Sequence, residues 1–213
     1  MNRLIVTLLV AGATLFGTQA YAQIMAEGGL LSYNINRLHQ DADPWYEPTS
    51  GIYAGASYNY DLPFLDGLSV VPGAYLYITS KKKMSDFSFY PLLFDTEAKH
   101  KESGLLIPVM ASYRYSFTSS SALFVQLGPS FQLGFSSSTK SDPSGDTVNH
   151  FKHGDFKRCD LLLGGNVGAV FFDKYIVKLS YQRGLLNAAG SNYNNTGYRY
   201  NRVFLGLGGG YIF

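Results

Sequence analysis

The chain has 213 residues, of which 15% are aromatic and 15% charged, with 23 glycines and 17 tyrosines. A formal net charge of +2 leaves no basic excess for a polyanion, so no nucleic-acid partner is expected. The single cysteine, Cys159, excludes an internal disulfide framework and suits a small strand residue.

The chain opens MNRLIVTLLVAGATLFGTQAYAQ: Arg3, an apolar stretch from Leu4 to Phe16, then the small-x-small pattern Ala20-Tyr21-Ala22 before Gln23. That order is the anatomy of a secretory signal peptide. Residues 1–22 are therefore expected to be removed and residues 23–213 to form the mature domain. Gln23 stands where a lipid-modified protein would carry cysteine. Beyond this segment no apolar run reaches the roughly 18 residues of a transmembrane helix.

From residue 24 the pattern has period two, and alternate strand residues point to opposite sides. Weaker versions cover 28–37, 51–61 and 68–79. At 105–116, Leu105, Ile107, Val109, Ala111, Tyr113 and Tyr115 oppose Met110, Ser112, Arg114 and Ser116. At 122–135, Leu123, Val125, Leu127, Pro129, Phe131, Leu133 and Phe135 oppose Ala122, Phe124, Gln126, Ser130 and Gln132. Leu161, Leu163, Val167 and Ala169 then oppose Asp160 and Asn166 within 160–170. At 175–182, Tyr175, Val177, Leu179 and Tyr181 oppose Lys178, Ser180 and Gln182. In the last segment Val203, Leu205, Leu207, Tyr211 and Phe213 oppose Arg202, Phe204, Gly206, Gly208 and Gly210.

A soluble sandwich would alternate too. Three features favour a membrane barrel instead. The strands are long, about 10 to 14 residues, as a tilted crossing requires. Connections alternate between short (62–67, 117–121, 172–174) and long and polar (38–50, 80–103, 136–157, 186–199), the asymmetry of periplasmic turns and external loops. Aromatic residues (Tyr58, Tyr60, Phe64, Tyr113, Tyr115, Phe117, Phe171, Phe172, Tyr175, Tyr211 and Phe213) gather at the short-turn ends, the depth their half-apolar rings favour. The expectation is an all-β, transmembrane up-and-down antiparallel β-barrel of about eight strands in a bacterial outer membrane, surrounded by lipid and lipopolysaccharide.

Within it, Arg114, Asp160, Lys178 and Arg202 fall on lumen faces, paired with one another and with Gln126, Asn166 and Gln182. Arg or Lys on the lipid face would cost roughly 2–4 kcal/mol near the midplane. Eight strands leave little room, so a plugged polar lumen is expected rather than a conducting pore. Pro72, Pro108 and Pro129 interrupt the predicted strands, and bulges or local irregularity are expected there.

The chain end, Gly210-Tyr211-Ile212-Phe213, resembles the C-terminal assembly signal of outer-membrane proteins, carried by Tyr211 and Phe213. The segments IPVMASYRYSF (107–117), LFVQLGPSFQLGF (123–135), DLLLGGNVGAVF (160–171) and VKLSYQRGLLN (177–187) follow in order. Together they resemble the outer-membrane β-barrel domain family of Bacteroidota, often described as PorT-like. The resemblance runs from about Gly28 and includes Pro108 and Pro129. It implies insertion by the barrel-assembly machinery and a barrel of roughly eight strands. It implies no single activity, although PorT itself is linked to type IX secretion.

No catalytic constellation, cofactor motif or metal site emerges. His39, His100, His150 and His153 fall in expected external loops and are read as solvated. The Arg-His-x-Ser pattern of lipid A deacylases is absent. His150 and His153 beside Asp155 would offer a metal only a flexible loop. Gly206, Gly208, Gly209 and Gly210 are lumen-facing or strand-bending positions, because a phosphate loop needs a following helix. Lys81, Lys82 and Lys83, with Lys99 and Lys101, give the expected 80–103 loop a basic rim suited to lipopolysaccharide phosphates. Within that loop FSFYPLLF (87–94), including Phe87, Phe89 and Tyr90, is apolar enough to be a surface-contact segment. The reading is a non-enzymatic integral outer-membrane barrel with a structural, surface-contact or assembly role. The alternatives are a narrow pore for small solutes, an accessory component of type IX secretion, and a lipid A-modifying enzyme.

Overall fold

The period-two pattern sorts side chains as expected. On one strand Leu123, Val125, Leu127, Phe131 and Phe135 are 42–64% exposed, while Phe124, Gln126, Ser130 and Gln132 between them are buried. The computed structural model describes residues 23–37, 49–63, 65–85, 96–141, 147–191 and 200–213. Among them the strands are β1 (Gln23–Arg37), β2 (Thr49–Asp61), β3 (Leu68–Ser85), β4 (Thr96–Thr118), β5 (Ser121–Ser141), β6 (Thr147–Asn149), β7 (Cys159–Phe171), β8 (Tyr175–Gly184) and β9 (Tyr200–Ile212). A one-turn helix, α1 (His150–His153), follows β6. Residues 1–22, His39, Phe64, Phe87, Phe89 and Tyr90, for which the sequence carries expectations, lie outside the described residues.

Every pairing is antiparallel, in the order β4-β3-β2-β1-β9-β8-β7-β5, and a β4–β5 pairing closes the ring. Closure gives each of these eight strands two neighbours and leaves no edge. The short β6 pairs only with Ser138–Lys140 of β5, beyond the last β5–β7 pair. Neighbouring strands are joined by tight turns at one end, after Asp61, Thr118 and Phe171. In the turn after β7, Phe172 (φ 52°) and Asp173 (φ 56°) are left-handed, a conformation rare for a residue as bulky as phenylalanine.

Two expectations need correction. Residues 80–103 are not one loop: β3 runs to Ser85, β4 begins at Thr96, and β5 runs to Ser141. The alternation stops being visible where outward positions turn polar, at Ser80, Ser103, Lys101 and Ser138. Backbone pairing does not need apolar side chains and continues past them. Nor do the prolines bulge the strands, although the pairing is locally irregular beside them, as expected. Pro108 pairs with Ser130 and Ala111 with Leu127 in one unbroken frame, and Pro72 pairs with Val109. A proline removes a donor without adding a residue, so steps go unpaired but nothing bulges. The register shifts between β4 and β5 lie at Ser103/Gly104 and Ser116/Thr118.

The interior is more apolar than expected. Met25, Val71, Met110, Phe124, Val170, Ile176 and Ile212 pack together toward the short-turn end. A second cluster toward the other end includes Tyr33, Tyr77, Leu162 and Phe204, and the Phe204 ring lies 4.8 Å from Tyr33 and 5.5 Å from Tyr77. Phe151, Phe156, Ala188 and Ala189, from the long connections, are buried on top of it. Lys157 N donates to Ala188 O (2.9 Å) and Gly190 N to Asp155 O (2.8 Å), so these two connections form a lid.

Candidate functional site

Two ion pairs organise the lumen, and each reaches over a strand that carries neither partner. Glu27 on β1 bonds Lys178 on β8. Between them lies β9, where Gly210 is the register partner of Glu27 and Gly208 that of Lys178. A Cβ on Gly210 would stand 2.8 Å from Glu27 Cγ, so that glycine makes room for the carboxylate side chain, while the space over Gly208 is taken by the Tyr53 hydroxyl. Ser57 Oγ donates to Glu27 Oε1 at 2.5 Å and Tyr75 OH at 2.6 Å, while Lys178 Nζ lies 4.9 Å from the centre of the Tyr75 ring. This buried pair is hydrogen-bonded on several sides, as burial of charge demands.

Nearer the lid, Arg202 on β9 faces Asp160 on β7 at 3.6 Å, and both side chains are fully buried. The intervening β8 again contributes glycine: a Cβ on Gly184 would stand 2.5 Å from Asp160 Oδ2. Arg202 Nε donates to the Tyr33 hydroxyl at 3.0 Å, and its Nη2 donates to the Lys157 carbonyl, tying barrel to lid. Leu186 N donates to Asp160 Oδ1 at 3.3 Å. Beside them Tyr77 OH donates to Glu102 Oε1 (3.2 Å) and receives a bond from Gln132 Nε2 (2.6 Å).

Asp160, Lys178, Arg202, Gln126 and Gln182 are all buried in the lumen, and Asn166 Nδ2 donates to Gln126 Oε1 at 2.7 Å. They do not form one cluster, because the acid paired with Lys178 is Glu27. Arg114 does not join the interior network either. It is half-exposed at the short-turn mouth, 3.4 Å from Asp173. Alternation missed Glu27 because the first segment was begun at Gly28, yet counting back in twos from Tyr33 and Leu31 reaches it. Glu102 and His100 were missed because their stretch reads as a polar loop.

The histidine reading is corrected. His100 and His150 are buried, not solvated. His100 Nδ1 lies 3.0 Å from Thr139 Oγ1, which lies 2.8 Å from His150 Nε2, and His150 Nδ1 lies 2.9 Å from Asp155 Oδ2. An ionised Asp155 accepts from Nδ1–H of His150, so Nε2 accepts from the Thr139 hydroxyl, and the Thr139 oxygen accepts from His100. This chain latches α1 and the lid onto β5. Acid, imidazole and hydroxyl are spaced as in a hydrolase, but the Thr139 oxygen is engaged by both rings. Outward positions on β4 beyond Leu105 are Ser103, Lys101 and Lys99, so His100 and Glu102 stand clear of the apolar belt. Burial, reinforced by the His150 ring, holds His100 down at about 4, and burial raises the Glu102 carboxyl although Arg202 opposes it. His153 is exposed, and among the described residues no three His, Cys, Asp or Glu are grouped to hold a metal ion.

Lys81, Lys82 and Lys83 belong to β3, opposite His100, Lys99 and Ala98. Cys159 is a free, exposed strand residue. Tyr211 is half-buried between Tyr175 (5.7 Å) and Phe213 (5.1 Å), and Phe213 is 77% exposed with its N–H donating to Ile24 O at 3.0 Å.

Solved structures resemble the chain at low identity. Ail of Yersinia pestis, in complex with the heparin analogue sucrose octasulfate, matches with 12% identity and a TM-score of 0.49, over 90% of this chain and 99% of that one. OprG from Pseudomonas aeruginosa matches with 15% identity and a TM-score of 0.42, over 91% and 97%. Neisserial surface protein A gives 11% and 0.43, over 90% and 97%. No curated protein matches the sequence. The family model described as outer membrane protein beta-barrel domain matches residues 19–190, and this chain, closed into an eight-stranded antiparallel barrel, belongs to that family.

Proposed function

We propose that this outer-membrane barrel is plugged and non-enzymatic, with a structural, surface-contact or assembly role. The observation that supports this reading is the obstructed lumen: two ion pairs cross it, with two apolar clusters and a hydrogen-bonded lid. Cavities remain on either side of the Glu27–Lys178 pair, sharing Gln126 and Lys178 in their walls, and the lid covers the end beyond them. In this reading residues 1–22 direct export and are cleaved after Ala22. The barrel-assembly machinery then inserts the domain through Tyr211 and Phe213, leaving the short turns in the periplasm.

Purified protein in planar bilayers tests the plug. No steady conductance steps are expected, and reproducible unitary steps from the wild type would replace this reading with a narrow solute pore. The finer resemblance to PorT-like barrels of Bacteroidota rests on the order of the four segments between Ile107 and Asn187. It carries a separate expectation: if the protein serves type IX secretion, its deletion blocks export of cargo, and normal export removes that role.

A further inference from the structure

Three lysines that are scattered in sequence are brought together by the β4–β5 register. Lys99 on β4 is the direct partner of Lys140 on β5, and Lys101 pairs with Ser138 two residues closer to the membrane. All three are exposed, whereas His100 and Glu102 between them on β4 are buried, so Lys99 and Lys101 share the outer surface. Direct antiparallel partners have Cβ atoms about 5 Å apart and diagonal neighbours about 7–8 Å. Three ammonium groups thus arise from a triangle roughly the size of one phosphate-bearing headgroup. Like charges directly opposite on a sheet are unfavourable. The β3 backbone places Lys82 opposite Lys99 in the same row.

Height selects the occupant. The apolar outer surface of these strands ends at Ile78, Leu105 and Phe135, and Ile78 is level with Ser103. Lys101 lies two residues beyond Ser103 and Lys99 four, about 14 Å along the strand at 3.4 Å per residue and about 10 Å along the membrane normal at barrel tilt. Headgroup layers occupy that depth, and lysine stems lean back along apolar surface to reach it. We propose that Lys99, Lys101 and Lys140 form a clamp for the phosphates of outer-leaflet lipid headgroups, holding the extended β4–β5 blade upright in the headgroup layer. The inference rests on the outer-membrane placement of the barrel and not on the plugged lumen.

The test uses the folded full-length barrel in non-ionic detergent, titrated with bisphosphorylated lipid A, with the same lipid A stripped of both phosphates, and with heparin as a soluble polyanion. Complexes are counted by native mass spectrometry. The bisphosphorylated lipid should bind at least about 10-fold more tightly than the stripped form. The triple variant Lys99→Gln/Lys101→Gln/Lys140→Gln should lose most of that preference, while Lys152→Gln/Lys157→Gln, altering exposed lysines of the lid, keeps it. A triple variant that still prefers the phosphorylated lipid overturns the clamp. So does heparin that binds the wild type more tightly than bisphosphorylated lipid A does and loses that binding in the triple variant, which would assign the row to a soluble polyanion. Heat-dependent gel migration reports folding of each variant, and Lys140→Gln alone, with a partial loss expected, serves if the triple variant does not fold. A protein that proved soluble without detergent would instead remove the membrane placement itself.

Discussion

Glu27 of β1 and Lys178 of β8 form a buried ion pair across β9, a strand to which neither belongs, where Gly210 leaves room for the Glu27 side chain. Arg202 and Asp160 repeat the arrangement across β8 at Gly184. The glycines of the last strands thus serve the lumen by giving up volume to long polar side chains from their neighbours. Each pair also ties together strands that backbone hydrogen bonds do not join directly.

Removing one member of the first pair should be far worse than removing both. Lys178→Met leaves Glu27 buried without its cation and is expected to cost about 3–5 kcal/mol. Glu27→Leu/Lys178→Met should recover most of that loss. Urea titration of the barrel in lipid vesicles, scored by the folded fraction on unheated gels, measures both. A double variant no more stable than the single would show that the charges themselves are not the issue.

The glycine gap makes its own prediction. A Cβ on Gly208 would stand 1.9 Å from the Tyr53 hydroxyl oxygen, so Gly208→Ala should cost about 1–3 kcal/mol through overpacking. Among the described residues the buried Tyr53 hydroxyl has no hydrogen-bond partner, so Tyr53→Phe alone should be nearly neutral. Combined with Gly208→Ala it should restore part of the loss, measured by the same titration. Strict additivity would contradict the contact.

The histidine latch should loosen in acid. Unfolded histidine takes its proton near 6.5, whereas His100 in the folded protein takes it only near 4. Between those values the open latch binds more protons than the closed one. The contribution is therefore complete above pH 6.5 and is lost as pH falls toward 4. Glu102, raised by burial, works in the opposite sense, so the informative comparison is wild type against His100→Gln. Hydrogen exchange at Asp155 N–H, bonded to His150 O, reports the latch. Its protection should fall more between pH 7 and pH 5 in the wild type than in the variant, after correction for intrinsic exchange. Equal falls would assign the acid response elsewhere.

The chain end separates assembly from stability. Phe213 is exposed and its ring contact with Tyr211 is worth about 1 kcal/mol. Phe213→Ala should therefore unfold within about 1 kcal/mol of the wild type in vesicles. In cells it should reach the membrane in markedly smaller amounts, as immunoblots of membrane fractions would show. Equal amounts would argue against an assembly signal.

Period-two alternation by itself determined the eight crossing strands, their outward faces and the burial of Asp160, Lys178 and Arg202, because lipid outside and packing inside constrain every second residue. It went silent beyond Leu105 and Phe135, where water replaces lipid and outward positions need not be apolar. There the strands continue on backbone hydrogen bonds that no side-chain pattern records. Which charge meets which was decided by the tertiary structure alone. Glu27 and Lys178 are 151 positions apart, and only closure and register of the barrel bring them, the His100–Thr139–His150 latch, and Lys99 beside Lys140 within reach.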